Sequence, residues 1–190
     1  MISTTLIDSA EGFLKIKDAN TGNVLVEKKN AIHFGNLSAA VALSLAAYDS
    51  GHARYMVFGN GGTSVVSTGE ISYRSPNVTT LRDENAALYN QTYSKDMSIN
   101  DDDNNITVSL TNTNYADINF NATLAYGEPT GQDTTDTALN NDGDYVFDEL
   151  GIETGGGLLI THVIFHPVQK ALNRIFEIEY TIRIQMGSAE

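Results

Sequence analysis

In the stretch "IFEIEYTIRI", residues 175–184, every second side chain is apolar. Phe176, Ile178, Tyr180, Ile182 and Ile184 alternate with Glu177, Glu179, Thr181 and Arg183. A period of two sends these sets to opposite faces of a strand, one buried and one wet, as in an antiparallel sheet. The same period marks "ITVSL", 106–110, and "DINFNATLAY", 117–126, where Ile118, Phe120, Ala122, Leu124 and Tyr126 share a face. Near the start, Leu14 and Ile16 alternate with Lys15 and Lys17. Turn residues follow at 18–23, where Gly22 can take positive φ, and 24–28 returns antiparallel as a hairpin. "RYMVF", 54–58, reads as a short strand. "LLITHVIFHPV", 158–168, is more continuously apolar than these and predicts a central strand that Pro167 should end.

One segment breaks the strand period. Leu37, Ala40, Val41, Ser44, Leu45 and Tyr48 fall three or four apart, which predicts a helix near 37–48. Asn36 or Ser38 would cap it, and Ser50-Gly51 would end it. Its alanines suit close packing on a sheet. "TTLRDENAAL", 79–88, has room for one or two helical turns. Loops are expected at 98–105 and 128–144, the second long enough to order on contact with a neighbour. With no repeat and no linker, 1–190 reads as one domain. Its fold class is mainly β (α+β), an antiparallel β-sandwich-like arrangement with one clear helix.

Composition removes several functions. The chain has 190 residues, 41% of them hydrophobic, so a real core is within reach. A net charge of -13 repels nucleic-acid backbones and anionic lipid. The chain has no cysteine, which excludes disulfides, thiolate metal sites and cysteine nucleophiles. The start lacks the basic and apolar regions of a signal peptide, and no apolar run is long enough to span a membrane. A soluble chain not exported by the signal route is expected, with neither nucleic acid nor membrane as partner.

The candidate chemistry centres on "FGNGGTS", residues 58–64, with three glycines in seven positions. A phosphate loop needs Lys and Ser or Thr after its last glycine and then a helix. Here Thr63-Ser64-Val65-Val66 follows, which is strand-like, and the glycine spacing misses the dinucleotide fingerprint. A tight turn with glycines at positive φ is the expected alternative. His162 and His166, on a strand, would point the same way but lie roughly 13 Å apart, too far to share a metal. Asp101-Asp102-Asp103 and "NNDGD", 140–144, miss the EF-hand spacing and read as solvated acidic loops. Asp148 and Glu149 are adjacent, so on a strand they should face opposite sides. No catalytic motif emerges, and no enzyme activity, cofactor or metal is expected.

Several segments fall in a recognisable order: "KNAIHFGNLSAAVALSLA", "RYMVFGNGGTS", "TTLRDENAAL", "INFNATLAYGE", "YVFDELGI", "GGGLLITHVIF" and "HPVQKALNR". Together they resemble the N-terminal attachment module of phage tail-collar fibre proteins over roughly residues 25–185. Gly59, Asn60, Gly61 and Gly62 match that family's glycine loop. Thr79 (or Thr80), Leu81 and Glu84 match its T-x-L-x-x-E segment, Glu149-Leu150-Gly151 its Glu-aliphatic-Gly strand, and Lys170 its basic position. A long fibre follows the module in that family, whereas here the sequence ends at Glu190. The resemblance implies a non-enzymatic building block of a tailed-phage virion, in tail, baseplate or neck. It would assemble in the host bacterial cytoplasm, its partners other virion proteins and copies of itself in a symmetric homo-oligomer. The contact residues expected are Phe58, Gly59, Asn60, Gly61, Gly62 and Thr63, with Asp133, Asp136, Asp142 and Asp144 and the two termini. A capsid decoration protein, or a carbohydrate-binding β-sandwich using some of the nine tyrosines, are the alternatives.

Overall fold

A computed structural model describes residues 7–99, 101–130 and 146–186. The expected hairpin forms from β1, Ile7–Asp18, and β2, Val24–Ile32. Gly22 turns it at φ 72°, a conformation glycine adopts without steric cost. Leu14 and Ile16 are buried, while Lys15 and Lys17 look outward.

The helix α1 spans Phe34–Leu45, starting and ending about one turn earlier than the spacing suggested. Its cap is His33, whose Nδ1 accepts the Asn36 backbone N–H at 3.2 Å. The expected cap Asn36 is instead buried inside the first turn. Its side chain donates to the carbonyls of Asp83 and Leu159 and accepts the Asp83 N–H. Gly35 lets residues 81–82 approach: a Cβ there would sit 2.2 Å from the Arg82 nitrogen. The helix stops where Ala47 takes φ 61°, before the 3-10 turn Asp49–Gly51.

Next come β3, Ala53–Gly59, and the small hairpin of β4, Thr63–Val65, and β5, Ile71–Tyr73. Residues 74–90 then form no helix, contrary to the turns expected at 79–88; they run as an irregular strap. The remaining strands are β6, Gln91–Asp96; β7, Asn104–Ser109; β8, Tyr115–Leu124; β9, Val146–Thr154; β10, Leu159–Gln169; and β11, Phe176–Met186. Pro167 does not end β10. The strand continues to Gln169 through a break in register between Ile164 and Val168, where the ladder with β9 is interrupted and a missing N–H is tolerated.

Nine strands form one antiparallel sheet in the order β6-β3-β9-β10-β2-β1-β11-β8-β7, and β4-β5 stands apart. The expected mainly β architecture with one helix is therefore present, as one large curled sheet beside a small one. The curl is closed in an unusual way. Its two edge strands, β6 and β7, are consecutive in the chain, joined through the 3-10 turn Met97–Ile99, with Met97 in the core. Lys95 on β6 reaches across to the Thr123 carbonyl on β8 at 2.6 Å and to Glu128 at 2.8 Å. Inside the curl, Phe58, Phe120, Leu150, Phe176 and Tyr180 pack in a single cluster. Tyr180 on β11 spans that interior to donate to Thr161 Oγ1 on β10 at 2.6 Å. On the outer face of β3 and β9, a second cluster joins Val57 to Ala86, Leu88 and Leu159. The strap therefore covers a sheet face that would otherwise meet water.

Candidate functional site

The glycine loop leaves β3 at Gly59 and enters β4 at Thr63, crossing over the start of β9. Its backbone N–H groups point inward. Gly61 N–H donates to Glu149 Oε1 at 3.0 Å, Gly62 N–H to Asp148 Oδ1 at 2.8 Å, and Thr63 N–H to Asp148 Oδ2 at 2.8 Å. The Thr63 hydroxyl adds a bond to Oδ2 at 2.5 Å. Successive N–H donors converging on an oxyanion are how a phosphate loop works. Here the donors are spent on two carboxylates of the same chain.

Glu149 ties in two further segments. Its Oε1 also accepts the Asn90 N–H at 2.8 Å; its Oε2 accepts the Tyr89 N–H at 2.9 Å and faces His162 Nε2 at 3.0 Å. His162 Nδ1 accepts the Asn77 N–H at 2.8 Å, so the ring carries its proton on Nε2 and donates it to Glu149. Asn90 completes the clamp by donating to Asn60 Oδ1 at 2.6 Å. Asp148 and Glu149, adjacent on β9, both reach the loop, Glu149 through Gly61 and Asp148 through Gly62 and Thr63.

The loop glycines have a different cause from the one expected. None of Gly59, Gly61 and Gly62 has positive φ; among the described residues the positive-φ glycines are Gly22, Gly69, Gly127 and Gly157. Close approach demands them instead. A Cβ on Gly59 would lie 2.4 Å from the Asn90 carbonyl oxygen, and one on Gly61 2.7 Å from the Asn90 nitrogen.

The electrostatics follow from enclosure. Asp148, Glu149 and His162 are all fully buried. Burial pushes the Asp148 carboxyl up, and neighbouring Glu149 adds to this, only partly offset by Thr63 and the loop N–H groups. Burial also raises Glu149, but His162 and the N–H groups of Asn90, Tyr89 and Gly61 outweigh it and hold the carboxyl below its ordinary range. Glu149 is thus the ionised centre of the knot.

Chemically, the His162–Glu149 pair looks like two members of a catalytic triad, but it has no open face. Both ring nitrogens are committed, and the imidazole packs on Tyr89 with centroids 5.6 Å apart. Among the described residues, no group of three or more His, Cys, Asp or Glu side chains is placed to hold a metal ion. His166 stands apart from His162, exposed, with Nδ1 3.1 Å from the Tyr73 hydroxyl. Asp101 serves its own turn, accepting the backbone N–H groups of Asp103 and Asn104.

The expected contact residues fall differently from the sequence reading. Phe58, Gly59, Asn60, Gly62 and Thr63 are buried within the chain's own fold, and Gly61 is half-buried, so this loop is not a free surface. Asp133, Asp136, Asp142 and Asp144 lie outside the described residues. Thr79 donates to the Leu81 carbonyl, and its hydroxyl lies 3.5 Å from His33 Nε2; Leu81 is exposed, and Glu84 pairs with Arg82. Leu150 is in the core, and Gly151 sits where a Cβ would meet the Thr161 carbonyl at 2.6 Å. Lys170 is elsewhere, buried, with its ammonium donating to the Ala125 carbonyl at 2.9 Å. His33, Asn77 and Asn90 were not anticipated as members of the network. Position is their only sequence signal: His33 precedes the helix start, and Asn77 and Asn90 flank the segment 79–88.

No protein-family model, characterised protein or solved structure matches this chain.

Proposed function

We propose that the chain is a non-enzymatic structural component of a tailed-bacteriophage particle, sited in the tail, baseplate or neck. It acts there through repeated protein–protein contacts. One observation carries the reading: segments that resemble the tail-collar attachment module in order along the chain also meet in space. The helix start at His33 and Asn36 bonds the T-x-L-x-x-E segment at Thr79 and Asp83, the glycine loop bonds Glu149 of the Glu149-Leu150-Gly151 strand, and the strap at 74–90 runs between these two clusters. Unrelated local likenesses have no reason to converge in this way. The enclosed Glu149–His162 pair, with no face open to a substrate, supports the non-enzymatic part.

Contacts in a particle are repeated by its symmetry, so modest surfaces suffice for stable assembly. The net charge of -13 keeps the free subunit soluble and favours a basic patch on the partner. Immunogold electron microscopy with antibody to this chain, on purified phage particles, tests the reading. Gold at the neck, tail or baseplate is expected. Gold spread over the head would replace it with capsid decoration, and no gold on intact or disrupted particles would remove the virion role.

A further inference from the structure

The ladder between β2 and β10 holds only two residue pairs, Thr161 with Ile32 and His162 with Ala31. Beyond His162 the strands part, although both continue: β2 back to Val24 and β10 on to Gln169. The cleft between them contains two hollows, of about 170 and 320 Å³. Lys28 and Tyr73 form the ridge that divides them, the ammonium 5.7 Å from the ring centroid. Lys28 Nζ donates to the Ile164 carbonyl at 2.7 Å. In a continuous ladder that carbonyl would accept a backbone N–H from a neighbouring strand. A side-chain ammonium has taken the place of a strand.

The cleft is lined by Lys28, Lys29 and Arg74 against one carboxylate, Glu27, a balance opposite to that of the whole chain. The chain carries 24 acidic and 11 basic residues. Yet Lys28 and Arg74, both exposed, have no carboxylate partner among the described residues; Arg74 lies over the Tyr89 ring at 4.6 Å. Most other cations are spent on acids: Lys17 on Glu179, Arg54 on Asp96, Lys95 on Glu128, Arg174 on Asp18 and Arg183 on Asp117. The cleft also exposes Tyr73, 49% accessible, as flat apolar surface.

We infer that this cleft is a docking groove for an extended acidic segment of a partner polypeptide. The segment adds as a strand between β2 and β10, displaces the Lys28 ammonium from Ile164, and places its carboxylates on Lys28 and Arg74. Strand addition draws affinity from main-chain hydrogen bonds and specificity from alternate side chains entering the two hollows. An acidic partner is selected because the surrounding field of the protein repels anions everywhere the basic residues are already paired. This inference does not depend on where the protein resides.

The test is fluorescence anisotropy of a labelled octapeptide of alternating Asp and Val against the full chain, at two salt concentrations. Saturable binding that weakens with salt is expected. Lys28→Glu and Arg74→Glu should each weaken it about tenfold, as loss of a charge contact does. Arg82→Glu changes the net charge equally but lines neither hollow, and should leave binding unchanged. Thermal melts of all three variants verify folding. Absence of binding at about 1 mM protein would overturn the inference, since that limit corresponds to only ~4 kcal/mol. Equal loss in Arg82→Glu would also overturn it, by reducing the effect to net charge. Concentration-dependent dimers that dissociate in Lys28→Glu would overturn it in favour of a second copy as the occupant.

Discussion

Replacing Glu149 with Gln keeps the shape of the buried knot and removes one acceptor oxygen. Each oxygen of the carboxylate serves two donors: Gly61 and Asn90 N–H on Oε1, Tyr89 N–H and His162 on Oε2. If the amide nitrogen occupies the first site, two backbone N–H groups face a donor. If it occupies the second, the Tyr89 N–H is stranded. His162 must then shift its proton to Nδ1, where it meets the Asn77 N–H. Either orientation leaves two buried donors unsatisfied, at about 1–3 kcal/mol each, so the expected loss is about 2–6 kcal/mol. Urea denaturation at neutral pH should show a lower midpoint with an unchanged m-value. A change below about 1 kcal/mol would refute the account, because it would mean water already reaches these donors.

The pH dependence supplies a second readout. Glu149 is held below its ordinary value of 4.5, so its contribution to stability is present above that pH and lost as pH falls through the lower folded value. The gap between wild type and Glu149→Gln should therefore narrow on acidification below 4.5. Asp148 has the opposite sign. Its raised folded pKa favours the folded state as pH falls towards the ordinary value of 3.8, and costs stability above the folded value. The two neighbours thus partly cancel in the wild type, and the variant leaves the Asp148 limb, lessened by loss of the Glu149 charge that helps raise it.

The remaining predictions concern backbone. Gly59→Ala should cost about 1–3 kcal/mol, the range for overpacking, since the new methyl meets the Asn90 carbonyl oxygen; Gly59→Ala with a melting temperature equal to wild type would show the contact yields freely. Ala47→Gly should raise stability by up to about 1 kcal/mol, because the left-handed conformation after the helix costs an L-residue about that much. A calorimetric melt reads it, and a fall in melting temperature would contradict the assignment.

Much of the sheet was legible because its strands have one wet face. β1, β8 and β11 show their period in the residues themselves, and the hairpin turn at Gly22 is local chemistry. The strap at 74–90 was not legible. Its apolar positions Ala86 and Leu88 face a sheet rather than completing a helical stripe, and its backbone bonds go to side chains of His162, Asn36 and Glu149. The helix boundary was misplaced for a related reason. Asn36 has the composition of a cap, but distant carbonyls claim its side chain, and a histidine with a ring nitrogen to spare takes the role. The glycine loop announced itself through three glycines. What fills it was hidden, because its acids lie about 85 residues away in sequence.

That long-range closure has a structural consequence for β9. Every residue of the strand except Glu153 is buried, its inner face by the core and its outer face by the strap and His162. A strand buried on both faces carries no alternation to fix its register, since a slip by one residue moves apolar groups from one dry face to another. Two carboxylates inside such a strand remove that degeneracy. With β3 paired so that Gly59 lies opposite Glu149, Gly61, Gly62 and Thr63 bring their N–H groups onto the two acids in turn. A one-residue slip would bury both charges against groups that cannot donate, at a cost of several kcal/mol per ion. An apolar pair at 148 and 149 would pack well in more than one register; the acidic pair packs in one. The buried charge therefore acts on specificity. The rigid frame it fixes leaves recognition to the surfaces outside it, the cleft between β2 and β10 foremost.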